Sequence, residues 1–234
     1  MSDLMPPMLQ PADPDALLLY TPLYTTGQDV DGNAVDPVTR NLVCVGLSAV
    51  GRCSWNASSS GLATARAGIY DWSAPVCCWA SVVLWGAISG ALTHVEVGAF
   101  VRDLKGATGT SLQGGEVGVA KRYLWDGVGG KLGLTQWSEG AQMPLGAMVF
   151  CGRDNGSPGG NELYHVALHV GRGLVVGSCM PVFDDATGRA KVNEMSDRGL
   201  SAFTTLLPVK SVCNKPEWTF FTRDAFWKGW PKAA

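Results

Sequence analysis

The feature that most constrains this chain is the segment of residues 72–95, which contains no Asp, Glu, Lys or Arg. Such a run is long enough to cross a bilayer, and Gly86 and Gly90 have the GxxxG spacing of paired membrane helices. Polar residues such as Ser81 and His94 interrupt it, however. We therefore expect the central helix of a soluble core, with glycines that permit a neighbouring element to approach closely, and no stable membrane insertion.

Composition and charge limit the classes of partner. The chain has 234 residues, of which 46% are hydrophobic and 16% charged, so a single domain with a substantial core is expected. The net charge is -2 and the Lys and Arg residues are scattered. A chain with this charge pattern lacks the cluster of basic residues that attracts nucleic acids, so we expect no nucleic-acid partner.

The seven cysteines and the N-terminus bear on localisation. The cysteines have no CxxC spacing, which in a chain of this size indicates folding in a reducing compartment. Pairing of Cys44 with Cys53, or of Cys151 with Cys179, stays open for an exported protein.

The N-terminal segment lacks the basic and apolar regions of a Sec signal. We expect synthesis in the cytoplasm and, if the protein is exported, another export route.

The order of local patterns predicts an α+β fold. Residues 1–40 are rich in Pro, Asp and Gly, and they predict an extended arm closed by a short strand at 41–50. Residues 41–234 then form one domain, with the central helix first and a second helix near 119–128. Short apolar runs follow at 146–152, 165–171, 173–179 and 204–209, which is typical of an antiparallel sheet.

Two histidines lie in the second of these runs, "YHVALHVGRG". A helical pair four residues apart could bind zinc, but the usual motif has Glu directly after the first His, and Val166 stands there. As a strand, the run places His165, Ala167 and His169 on one face. The β-branched residues and the turn at 171–173 favour the strand. We therefore expect no metal site and no cofactor.

Adjacent cysteines stand at the start of the uncharged run. A helix that starts within residues 73–77, with Pro75 in its first turn, places Cys77 and Cys78 near the positive end of the helix dipole. A thiolate is favoured there, and the thiolate is the reactive form of cysteine. Free cysteines, however, are usually small buried apolar residues, and Cys77 and Cys78 fit that interpretation equally well. Position alone leaves these two interpretations open.

The residues carry a resemblance at this point. The tetrapeptide "CWAS" at residues 78–81 resembles the papain superfamily, in which the nucleophile opens the central helix. The later segment at 143–176, "PLGAMVFCGRDN" to "ELYHVALHVGRGLVV", resembles the NlpC-type branch, in which "GDLVFF" precedes "HVGIYVGNG". The resemblance implies a papain-like domain with a nucleophile at the start of a helix packed on an antiparallel sheet.

The resemblance implies a role for particular residues. Cys78 is the nucleophile, with Cys77 as the fallback, and His165 is the base. The main chain at Cys78 and Trp79 supports the oxyanion, with Asp71 or Tyr70 as a polar neighbour.

A third polar residue orients the histidine in that family. Here Gly177 stands at the expected position, and the family's "GDLVFF" Asp is Ala147. Ser178, Asn193 and Asp184 are the candidates that remain, and the sequence does not choose among them.

The implied activity is hydrolysis of amide bonds in bacterial peptidoglycan peptides by a cysteine amidase or endopeptidase. Without a Sec signal, such an enzyme resembles an antibacterial effector of a specialised route such as type VI secretion, with an immunity protein or secretion machinery as partner. Two alternatives stay open. One is a protease or glutamine deamidase that acts on target-cell proteins, and the other is a noncatalytic papain-like binding module. The aromatic tail at 217–230 either covers the core or presents a binding surface.

Overall fold

The computed structural model shows a mixed α+β architecture with an antiparallel sheet, as the sequence predicts. It describes most of the chain, in segments that cover residues 10–51, 54–55, 78–108, 121–154, 161–178, 182–183, 190–191, 202–213 and 216–232. The helices, in chain order, are α1 (Pro14–Thr26), α2 (Pro37–Ala49), α3 (Cys78–Ile88), α4 (His94–Thr108), a π-helical segment (Lys121–Gly129), α5 (Gly130–Leu132) and α6 (Val209–Val212).

Seven strands form the main sheet. Its order is β1-β8-β5-β4-β3-β9-β2, and every neighbouring pair is antiparallel. The strands are β1 (Ser54–Trp55), β2 (Leu134–Gln136), β3 (Met148–Asp154), β4 (Asn161–Gly171), β5 (Leu174–Ser178), β8 (Ala202–Pro208) and β9 (Phe220–Thr222), while β6 (Val182–Phe183) pairs with β7 (Ala190–Lys191). The four predicted apolar runs are the central strands β3, β4, β5 and β8, and the predicted second helix is the π-helical segment.

The predicted N-terminal arm is wrong in the part that the structure describes. Residues 14–26 and 37–49 are helical, and the expected strand at 41–50 lies largely within α2. The expected boundary between residues 40 and 41 therefore falls inside a helix. Leu19, Leu23 and Leu42 are buried in the same core as α3, so the two helices belong to the domain.

Two Asp-Pro pairs explain this difference. Asp13 accepts a hydrogen bond from Ala16 N–H at 2.9 Å, and Asp36 accepts one from Thr39 N–H at 3.0 Å. In each case the Asp is the N-cap and the following Pro is the first helical residue. A Pro is tolerated there because that position needs no intrahelical donor. The two Asp-Pro pairs, which contribute to the predicted turns, are therefore the starts of α1 and α2.

Helix α3 is the central helix, and Gly86 allows its close packing. An added Cβ at Gly86 would lie 2.8 Å from Leu92 Cδ1 and 3.1 Å from Phe226 Cζ, as the expected close approach requires. The same expectation is wrong for Gly90, whose φ of 76° ends the helix in an open position. No helix among the described residues combines the length and the apolar character that crossing a membrane requires.

The sheet buries side chains on both faces. On the face that we call the helix face, Phe150, Val166, Leu168 and Val176 join one core with α1 to α4. Helix α2 lies close to it, since an added Cβ at Gly46 would be 3.0 Å from Leu168 Cδ2.

The opposite face, which we call the reverse face, has a smaller core. Val149, Cys151, Ala167 and Val175 pack there with α6 and with Phe221 of β9. Because successive residues of a strand point to opposite sides, this separation fixes the direction of the other side chains in the described middle of β3 and β4.

The aromatic tail covers the core, which is the first of the two roles expected for residues 217–230. Phe221, Phe226 and Trp230 are buried. Trp230 packs edge to face on Phe100 of α4, with ring centroids 6.0 Å apart. Trp218 alone of the large apolar side chains described in the tail is substantially exposed, at 37%.

Candidate active site

Helix α3, as the structure describes it, begins at Cys78. With these bounds, the first-turn N–H groups and the positive end of the helix dipole lie at this cysteine. Trp79 follows within the first turn. Several candidates lie outside the described residues, namely Tyr70, Asp71, Cys77, Asp184 and Asn193.

A chain of buried hydroxyl groups joins this first turn to the sheet. Ser81 Oγ lies 2.7 Å from Ser178 Oγ, which in turn lies 3.1 Å from Thr204 Oγ1. All three residues are at most 1% exposed. The hydrogen bonds connect α3 to β5 and β8, and they satisfy polar groups that would otherwise be costly to bury.

Ser178 therefore lies next to the predicted nucleophile's helix. Ser81 is three residues after Cys78, and residues with that spacing are neighbours on a helix surface. Among the candidates for the third polar residue, Ser178 is the one whose position the structure describes. Ser81 and Thr204 escaped the sequence analysis, because a lone Ser or Thr in an apolar run has no distinguishing signal.

His165 lies in a strand, as expected, but on the reverse face. The register pairs it directly with Cys151, and its same-face neighbour along β4 is Ala167. Both of these residues pack in the reverse-face core. The structure therefore does not bring His165 together with Ser178, whose hydroxyl contacts α3 on the helix face.

The surroundings of His165 favour its neutral form. The side chain is 3% exposed, and burial lowers the pKa of His165 to about 3. A buried imidazole resists protonation because the charged ring loses its hydration. Protonation of this ring near neutral pH is therefore strongly disfavoured in the described fold.

His169 shares the reverse face with His165, as the alternation predicts. Its Nδ1 lies 2.9 Å from the carbonyl oxygen of Pro144. A carbonyl oxygen only accepts, so Nδ1 carries the proton and donates. Burial lowers the pKa of His169, although this hydrogen bond opposes the shift. Burial therefore favours the neutral ring, in which Nδ1 holds the proton and Nε2 carries the lone pair.

Three other cysteines, Cys44, Cys151 and Cys213, are buried. Burial raises the pKa of Cys44 to about 12, so this thiol is not a nucleophile near neutral pH. The described residues contain no group of three or more His, Cys, Asp or Glu side chains that could hold a metal ion.

Comparisons with protein-family models, curated proteins and solved structures give no match to this chain.

Proposed function

We propose that this protein is a cysteine hydrolase that cleaves amide bonds, with Cys78 as its nucleophile and peptidoglycan peptides as its substrate. The observation that carries the proposal is that helix α3, whose bounds are Cys78–Ile88, begins at Cys78 and packs with the antiparallel sheet in one core. The positive end of the helix dipole stabilises a thiolate at that position.

The hydroxyl chain supports the same proposal. It fixes the first turn of α3 to β5 and β8 through Ser81, Ser178 and Thr204. A nucleophile needs such a fixed position, because small displacements of reacting atoms cost large factors in rate. Ser178 is in this account a positioning residue.

The reaction consists of two acyl transfers. The Cys78 thiolate attacks the amide carbonyl carbon. The tetrahedral intermediate then collapses to a thioester, and the leaving amine takes a proton from water or from the general acid that the resemblance implies, His165. Water then attacks the thioester, which releases the carboxylic acid and regenerates the thiol. In this proposal the first-turn N–H groups of α3 stabilise the oxyanion.

The resemblance assigns the proton transfers to His165. The position of His165 in the sheet, however, favours a second candidate function. A ring on the reverse face, in the core of Cys151 and Ala167, does not face the start of α3. That arrangement favours a noncatalytic binding module with a packed Cys78. The proposal of a hydrolase therefore rests on Cys78, and the role of His165 is a separate part of it.

Digestion of purified peptidoglycan, with the products read by mass spectrometry, tests the proposal. We expect new muropeptides from the wild-type chain, none from Cys78→Ala, and unchanged products from the matched control Cys77→Ala. His165→Gln keeps a polar side chain of similar length and separates the base from the nucleophile.

Each outcome decides one part of the proposal. Loss of products in both Cys78→Ala and folded His165→Gln supports the pair, whereas loss in Cys78→Ala alone removes the role of His165. No products from the wild type rejects the peptidoglycan substrate. In that case, cleavage or deamidation of target-cell proteins that depends on Cys78 would indicate the protein-directed enzyme, and its absence the binding module.

Delivery and partners belong to the same proposal. An enzyme that degrades peptidoglycan needs a route out of the cytoplasm, and we propose a specialised secretion system such as type VI, with a cognate immunity protein as partner. Protection of susceptible bacteria by a protein that binds this chain would support this part.

A further inference from the structure

A second concave site lies at one end of the sheet, away from α3. It is a cavity of about 660 Å³, which is within the usual size of small-molecule sites. Four segments form its wall, namely the α1–α2 connection, the β2–β3 connection, the β4–β5 turn and the start of α6. Its lining residues include Asp29, Trp137, Glu139, Gln142, His169 and Lys210. We call it the polar cavity.

His169 is the observation that points to a ligand. It forms part of the cavity wall and is only 4% exposed. Its Nδ1–H donates to Pro144, so the lone pair lies on Nε2. Within the described part of the chain, Nε2 has no hydrogen-bond partner. A buried acceptor without a donor costs free energy. Nε2 is itself closed off from the cavity, so a ligand hydroxyl or N–H would satisfy it after a movement of the ring or of its neighbours.

The charges of the wall exclude a ligand of strong single sign. Three carboxylates face two cations, and the Arg172 guanidinium already pairs with Asp31 at 2.9 Å. Asp29 accepts hydrogen bonds from the N–H groups of Asp31 and Asn33. Glu139 and Lys210, which make no ion pair among the described residues, carry opposite charges. A neutral ligand therefore fits the wall best.

The remaining groups favour a ligand that both donates and accepts. Glu139 accepts, Lys210 donates, and the Gln142 amide does both. A hydroxyl group also does both, so a polyhydroxy ligand can satisfy all of them together with His169. Trp137 is half-buried in the same wall. Its ring offers a flat apolar surface for the C–H face of a sugar ring.

We propose that the polar cavity binds a saccharide. Trp137 packs against the sugar ring, His169 accepts from one hydroxyl, and the polar groups of the β2–β3 connection and α6 hydrogen-bond the others. This site goes beyond the proposed hydrolysis, because none of the described lining residues belongs to α3.

Isothermal titration calorimetry tests this site with chitotriose, cellotriose and maltotriose as saccharide probes. Glycylglycine is the zwitterionic comparison. We expect at least one saccharide to bind and glycylglycine not to bind. Trp137→Ala should weaken the binding by about tenfold, which corresponds to about 1.4 kcal/mol. Trp218→Ala is the matched control, because that partly exposed ring lies outside the cavity.

Further variants keep the test decisive. His169→Phe retains a ring and removes the acceptor, and it should also weaken binding. Gln142→Ala changes a more accessible wall residue and serves if Trp137→Ala does not fold, as judged by circular dichroism. Cys78→Ala should bind as the wild type does, whatever its effect on hydrolysis, so the two proposals fail separately.

Three results would overturn the saccharide site. The first is the absence of binding by all three saccharides at millimolar concentration. The second is saccharide binding that folded Trp137→Ala, His169→Phe and Gln142→Ala leave unchanged. The third is binding of glycylglycine alone, which would identify the cavity as a site for zwitterions.

Discussion

Ser178 contributes the hydroxyl that joins two layers of the molecule. Its Oγ lies within hydrogen-bond distance of Ser81 on α3 and of Thr204 on β8. Because all three groups are buried, the cost of losing one hydroxyl includes the polar partners left behind. The stability of this contact and the position of the first turn of α3 are therefore linked.

Replacing Ser178 with Ala should destabilise the fold by about 1–3 kcal/mol, since buried hydroxyl partners lose a hydrogen bond. Ser48→Ala is the matched control. Ser48 is as buried as Ser178, but its hydroxyl donates to Cys44 O of its own helix. Removing it takes away the donor and leaves no buried donor behind, so the loss should be smaller. Urea unfolding of both variants measures the difference, and equal losses would argue against an anchoring role for Ser178.

His165 should make the stability depend on pH in a particular direction. Burial lowers the pKa of His165 to about 3, against about 6.5 in an unfolded chain. The unfolded chain therefore binds more protons between these values, so stability is fully present above about pH 6.5 and falls as the pH is lowered. Histidine ring resonances in NMR should show His165 neutral at about pH 5. A titration near pH 6.5 would contradict its burial.

The same dependence can be measured by unfolding. The urea concentration at which half of the protein is unfolded should be lower at about pH 5 than at about pH 7.5. His165→Phe, which cannot be protonated, should lose less over the same interval. Equal losses in both chains would assign the pH dependence to other groups.

At the scale of the elements, two helical glycines differ in their surroundings. Substitution of one tests close packing, and substitution of the other tests helix propensity. In α3, an added Cβ at Gly86 would lie 2.8 Å from Leu92 Cδ1. In α4, an added Cβ at Gly98 would meet nothing within 4 Å. The two positions therefore differ in packing, although both are helical.

Alanine substitution should have opposite effects at these two positions. Gly86→Ala should destabilise the protein by about 1–3 kcal/mol, because the new methyl group overpacks the contact between α3, Leu92 and Phe226. Gly98→Ala should stabilise it by about 0.5–1 kcal/mol through helix propensity. Thermal unfolding of both variants checks the signs. A stable Gly86→Ala would mean that Leu92 moves aside without cost.

The elements also show what local sequence can predict. The four central strands were predictable, because apolar runs bounded by glycine turns have few other structures. Helices α1 and α2 were missed because Asp-Pro begins both turns and helices. What distinguishes a helix start from a turn is the hydrogen bond that follows. At Asp36, the N–H of Thr39 donates to the Asp side chain and caps the helix. Apolar spacing after each pair was the signal that could have identified them.

At the scale of the whole molecule, the sheet separates two groups of candidate residues. Ser178 faces α3, whereas His165 and His169 belong to the reverse face. The alternation along β4 predicted that the two histidines share a face. It could not predict which face meets the helix, because both faces of β4 are buried over residues 165–170. That choice depends on long-range packing.

This arrangement gives the molecule two separate candidate sites. The start of α3, with Cys78, is fixed to the helix face by the hydroxyl chain, and the polar cavity lies where His169 reaches the end of the sheet. A cell-wall enzyme could use the first for cleavage and the second to hold the glycan that carries the peptide.

The most direct test of the central claim is the pH dependence of the alkylation of Cys78. Iodoacetamide is applied over a range of pH, and the modified peptide is quantified by mass spectrometry, with Cys44 as the buried reference and the chain unfolded in urea as the ordinary thiol. If Cys78 is the nucleophile, its rate should reach half its maximum at least about one pH unit below that of the unfolded chain. A midpoint equal to or above that of the unfolded chain would show an ordinary or packed thiol and would contradict the account.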